Sequence, residues 1–160
     1  MASSPIPVLH GSALVNAPID QTFRAFSASL DRWWPREYHI GQADMAEAIL
    51  EQRAGGRWYE KGVDGSECDW GRVLVWEPPY RLVLTWQING MWQYDPDPGH
   101  ASEIDVRFSV AGPSQTRVEL EHRHIERLVE AQALVDGIEQ QGGGWNTLLE
   151  RLAAFAPTAA

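Results

Sequence analysis

Few side chains in this sequence could carry chemistry, and their spacing narrows what they could do. His122 and His124 stand two apart in an alternating stretch, so on a strand they would share a face and could reach one metal ion with carboxylates from elsewhere. No HExxH or CxxC accompanies them, and His10, His39 and His100 fall near loops or strand starts, so no metal site is expected. His122 reads instead as a hydrogen-bonded histidine at one end of a strand. Glu47, Glu51 and Glu60 are the carboxylates that, with His122, could approach a cavity, where a buried carboxylate near an imidazole can act as an acid/base pair. A pair alone is no mechanism, and half-exposed strands commonly carry glutamate as solvation, so no catalytic residue is assigned. Cys68 lies between Glu67 and Asp69, whose negative charge suppresses the thiolate that nucleophilic chemistry needs. No Gly-x-Ser-x-Gly elbow, P-loop or Gly-x-Gly-x-x-Gly occurs, and no cofactor is implied.

Tryptophan is the other informative residue type. Of the eight in 160 residues, Trp58, Trp70, Trp76 and Trp86 fall within the stretch from Gly55 to Trp86. Each indole is large and carries an N–H that needs a partner, and such rings either fill a core or line a pocket for apolar or aromatic ligands. Two features favour the pocket. Gly142-Gly143-Gly144 beside Trp145 removes side-chain volume where a helix would cross a sheet, and Trp33, Trp34 and Trp92 fall in stretches that read as loops.

The elements that must position these residues follow from periodicity. Strands are expected over His10–Asn16, Ala43–Gln52, Arg57–Val63, Trp70–Glu77, Arg81–Trp86, Glu103–Val110 and Thr116–His124. Asp64-Gly65 and Pro78-Pro79 mark reversals between antiparallel neighbours. Ile104, Val106, Phe108 and Val110 alternate with polar or charged residues, as do Thr116, Val118, Leu120 and His122. In the second strand, parity groups Glu47 and Glu51 with Met45 and Ile49. A short helix follows Pro18, carrying Ile19, Phe23 and Phe26 on one face, and cannot run through Trp34, because proline disfavours α geometry at the preceding residue. Glu126–Phe155 has helical spacing and predicts one long amphipathic helix, with an interruption possible at the triple glycine. Gln87–Ser102 reads as an extended loop with a turn at Asn89-Gly90.

Composition bounds the class of protein. With 44% hydrophobic and 22% charged residues, the chain suits one globular domain, expected over 8–157 behind a flexible segment at 1–7. A net charge of −9 without basic clusters argues against nucleic acid and anionic membrane surfaces as partners. No apolar run is long enough to span a bilayer, no signal-like start is present and a single cysteine excludes an internal disulfide, so a cytoplasmic protein is expected. Oligomeric state has no signature in the sequence.

The order of these elements is that of the helix-grip fold, an α+β architecture in which a curved antiparallel sheet of about six to seven strands wraps a long C-terminal helix and leaves a cavity between them. The sequence resembles the SRPBCC (START/birch-pollen-allergen-like) superfamily. Within it, the chain is similar to the C-terminal domain of the activator of the heat-shock-90 chaperone ATPase. The residues that carry the resemblance run from Val15-x-Ala17-Pro18 through Trp33-Trp34, Gly55-Gly56-Arg57-Trp58-x-Glu60, Gly71-Arg72-Val73-Leu74 and Pro78-Pro79-x-Arg81-Leu82. They continue in Thr116-x-Val118-x-Leu120-x-His122 and Gly144-Trp145. His122 matches the family's histidine at this place. The resemblance implies a cavity walled by Trp33, Trp34, Trp58, Trp70, Trp86, Trp92 and Trp145, with Glu60 or His122 as polar contact. Its expected occupant is a small apolar or aromatic molecule. The resemblance also implies two alternatives, a cochaperone-like domain that engages a chaperone ATPase or another protein, and a cyclase/dehydratase-type enzyme using His122 in the same cavity.

Overall fold

A computed structural model describes residues 6–140 and 144–159; part of the expected N-terminal segment, and Gly142 and Gly143, lie outside the described residues. Alternating apolar residues and turn signals give seven strands, β1 Leu9–Val15, β2 Met45–Leu50, β3 Arg57–Gly62, β4 Glu67–Glu77, β5 Arg81–Trp86, β6 Ser102–Gly112 and β7 Gln115–Arg123. They form one curled antiparallel sheet in the order β1-β7-β6-β5-β4-β3-β2. The register stacks Leu82 against Val106 and Val106 against Leu120, so one face presents continuous apolar rows to the core.

Three details depart from strict alternation. A bulge between Met45 and Glu47 breaks the expected parity of β2, burying Met45, Ala48 and Leu50 while leaving Glu47 in solvent. Val110 lies by another bulge at the end of β6 and is 66% exposed rather than inward. Asp105 is on the polar face of β6 yet only 2% exposed, because Arg81, Arg107 and Arg123 close over it. Burial alone would raise this carboxyl's pKa. Hydrogen bonds from Arg81 and Arg107, and the charge of Arg81, outweigh that and hold it at about 2.

Helix α1, Ile19–Ser27, buries Phe23 and Phe26, and Phe23 meets Trp76 and Phe108 at ring separations of 5.1 and 5.0 Å. Helix α2, Leu30–Trp33, stops where Trp34 turns extended ahead of Pro35. The C-terminal segment is two helices rather than one, α3 Ala131–Gln140 and α4 Gly144–Phe155. Gly144 begins α4 at φ +57°, a left-handed conformation that glycine adopts without a Cβ penalty. Helix α4 packs on β1 and buries Trp145, Leu148, Leu149 and Leu152. Among the described residues no helix is long and apolar enough to cross a membrane.

Candidate functional site

Between the sheet and the paired C-terminal helices lies a cavity of about 190 Å³. Its floor is buried and apolar: Trp34 after α2, Trp70 and Trp86 from β4 and β5, Ile88 just beyond β5, and Trp145 and Leu148 from α4. Its rim is the segment Glu37, Tyr38, His39 and Ile40, faced by Trp92, with Ile138 and Gly144 supplied by α3 and α4. Residues of both C-terminal helices therefore form part of the mouth.

The floor is built on a closed circuit of indoles. Ring centroids are 5.3 Å apart for Trp34–Trp70, 5.1 Å for Trp70–Trp58, 6.1 Å for Trp58–Trp86, 5.6 Å for Trp86–Trp145 and 6.5 Å for Trp145–Trp34. Most contacts are tilted or edge-on, the geometry that the ring quadrupole favours. Trp58 completes the circuit from behind, and Trp33 packs beside Trp34 and Phe26 in the core; neither lines the cavity. Five of the buried indole N–H groups have acceptors: Ala25 O for Trp33, Thr85 O for Trp58, Glu60 Oε1 for Trp70, Ile88 O for Trp86 and His122 Nδ1 for Trp145. The N–H of Trp34 is buried and has none among the described residues. An unpaired buried donor costs roughly 1–3 kcal/mol.

His122 and Glu60 stand behind the wall rather than in it. His122 is fully buried against Trp86 and Trp145. Its Nδ1 accepts the Trp145 N–H at 3.3 Å, so Nε2 carries the proton and donates to Ser102 Oγ at 2.9 Å; that hydroxyl in turn donates to Trp86 O. Burial pushes the imidazole pKa down to about 3. Both nitrogens are occupied, and the ring is a neutral strut. His124 leaves the strand in a left-handed turn at φ +58°, so the two histidines do not share a face. Among the described residues no group of three or more histidine, cysteine or acidic side chains could hold a metal.

Glu60, 1% exposed, accepts the backbone N–H groups of Ile40 and Gly41 and the Trp70 indole N–H, all through Oε1. One buried carboxylate thus fastens the rim segment to the sheet and fixes the pitch of a floor indole. Its neighbour Cys68 is held at a pKa of about 11, first by burial and then by the charges of Glu60 and Asp69.

The rim supplies the groups that sequence reasoning missed. Glu37, Tyr38 and His39 are the titratable side chains that line the cavity, and their only signal in the sequence is adjacency to Trp33-Trp34-Pro35. His39 Nδ1 lies 2.8 Å from Gly41 O. Trp92, at φ +58°, lays its ring over Gly137 of α3, where a Cβ would come within 2.7 Å of the indole.

Residues 16–156 match the family described as activator of Hsp90 ATPase homolog 1-like protein. Among solved structures the chain is similar to an anthrahydroquino-γ-pyrone synthase, Txn09, complexed with a molecule designated SUM. Identity is 37%, the TM-score 0.67, and the match covers 93% of this chain and 96% of that one. It is also similar to CalC, a self-sacrificing resistance protein from Micromonospora echinospora, at 28% identity and TM-score 0.70, covering 96% of each chain. CalU16, also from Micromonospora echinospora, is 26% identical with TM-score 0.58, over 93% of this chain and 75% of that one. No curated protein matches the chain.

Proposed function

The chain belongs to the activator of Hsp90 ATPase homolog 1-like family, and from its cavity we propose that it binds a small planar aromatic molecule bearing a carbonyl group. The observation that carries this reading is the Trp34 N–H, among the described residues the one buried indole donor without an acceptor, on a ring that lines the cavity. A ligand carbonyl would satisfy it, while the surrounding indoles and the side chains of Ile88 and Leu148 would accept a flat apolar body. Size sets the scale of the ligand. Enclosed sites of about 150 Å³ hold a benzene and drug-sized pockets run from about 300 Å³, so a cavity of about 190 Å³ would enclose one or two rings and leave the remainder at the mouth. A further support is the 37% identity to a synthase whose named product contains fused aromatic and pyrone rings.

The test is a fluorescence titration with anthraquinone and, in parallel, anthracene, which has the same outline without carbonyls. Both should quench tryptophan emission saturably. Trp34→Phe should weaken anthraquinone about fivefold to tenfold more than it weakens anthracene, the equivalent of about 1 kcal/mol. Absence of saturable quenching by either compound would refute the reading.

A second reading makes the same cavity the site of a ring-closing reaction, and the likeness to the synthase favours it. A chaperone-activating role has the family's description as its support; recovery of a chaperone ATPase in a pull-down, with stimulated ATP turnover, would promote it.

A further inference from the structure

We propose that His39 is the proton acceptor of this cavity, taking the proton of an acidic hydroxyl or enol on the bound aromatic; the proposal rests on the aromatic-ligand reading above. A carbonyl oxygen can only accept, so the 2.8 Å contact between His39 Nδ1 and Gly41 O fixes the proton on Nδ1. In the neutral ring Nε2 is then a bare lone pair, and it makes no hydrogen bond among the described residues. His122 has the opposite arrangement, with both nitrogens occupied in a sealed pocket. Of the two imidazoles near the cavity, only His39 has a nitrogen left for a ligand.

The ring is also held in place. Gly41, whose carbonyl accepts the hydrogen bond from Nδ1–H, donates its own N–H to Glu60 Oε1 at 3.1 Å, and Glu60 is anchored by the Trp70 indole. A buried carboxylate thus fixes the backbone that fixes the imidazole, which makes Glu60 a positioning residue for His39. The other titratable groups lining the cavity are Glu37 and Tyr38, both on the same segment.

Together with the Trp34 donor, this defines the ligand's chemistry as a planar aromatic with a carbonyl and an acidic hydroxyl, the class of hydroxyquinones and phenolic ketones. In the step itself the ligand O–H bond breaks and an Nε2–H bond forms. The electron pair stays on oxygen as a phenolate or enolate beside the imidazolium, and the same proton is available for return. No oxidant or other reactant is needed.

Alizarin, a dihydroxyanthraquinone whose colour changes on losing a hydroxyl proton, separates this proposal from the reading beneath it. Quenching of tryptophan emission reports binding, and the visible spectrum of the bound dye reports ionisation. The bound dye should ionise at a pH about one unit below the free dye, a tenfold gain in the ionised form. His39→Gln should restore the free-dye midpoint while saturable quenching persists, which also shows that the variant is folded. Glu37→Gln should keep the shift. Quenching with an unshifted midpoint, or a shift that survives in His39→Gln or vanishes in Glu37→Gln, would overturn the assignment to His39 alone. Absence of quenching would remove the aromatic-ligand reading and the proposal with it.

Discussion

His122 and His39 show how environment, not residue type, assigns a role. His122 could be singled out in the sequence because it ends a clean alternation, but alternation says only that a side chain faces inward. Its neighbours make it a strut: Trp145 donates to one nitrogen and Ser102 receives from the other. Replacing it with Ala would strand the Trp145 N–H and open a void, so urea denaturation should show a loss of about 3 kcal/mol, and any loss of activity in that variant would follow from damage to the cavity floor. The pH dependence has a definite sign. A histidine whose folded pKa is depressed to about 3 favours its neutral form, so its contribution is fully present above the ordinary value of 6.5 and is lost as pH falls towards 3. Stability against thermal unfolding should therefore fall through that window by up to about 1.4 kcal/mol per pH unit. A flat profile there would contradict the sealed neutral ring. His39, in contrast, had no periodic context, and nothing in its spacing could reveal that Gly41 O would set its tautomer.

At the scale of elements, the legible parts were those with repeating chemistry. The strands and their Asp64-Gly65 and Pro78-Pro79 reversals follow from period-two patterning and turn residues, and the end of α2 follows from Pro35. The cavity rim was not legible, because the segment Glu37–Gln42 has no periodicity and is held by a contact twenty residues away, Glu60 to Ile40 and Gly41. Glu60→Ala should free that segment. Amide exchange at Ile40 and Gly41 should accelerate about a hundredfold, corresponding to roughly 3 kcal/mol of local stability, with Glu60→Gln intermediate. Unchanged exchange would show that other contacts carry the rim. Helix α3 makes a second prediction. Gly137→Ala would raise intrinsic helix propensity by about 1 kcal/mol yet place a Cβ 2.7 Å from the Trp92 ring. The substitution should therefore weaken aromatic ligands several-fold without a matching loss in thermal stability; unchanged affinity would show that Trp92 is no part of the ligand's wall.

Across the whole molecule, the sheet places its charges outside and its indoles inside. On the outer face, Asp105 gathers arginines from β5, β6 and β7 and ties three strands together. Its carboxyl is depressed to about 2, so this contribution is present above the ordinary carboxylate value of 3.8 and is lost only as pH falls below it, later in an acid titration than that of His122. On the inner face, five indoles line the cavity, from positions 34 to 145 of the chain, and Trp76 packs elsewhere against Phe23. In the sequence the wall, Trp34, Trp70, Trp86, Trp92 and Trp145, is not separable from the packing behind it, Trp33 and Trp58, because an inward-facing indole can serve either role. That separation gives the most direct test of aromatic binding, an NMR titration of the tryptophan indole N–H signals with anthraquinone. The five wall signals should shift saturably, Trp34 furthest as its N–H gains an acceptor, while Trp76 stays in place. If no indole signal moved, or if Trp76 moved with the rest, the cavity would not be the binding site.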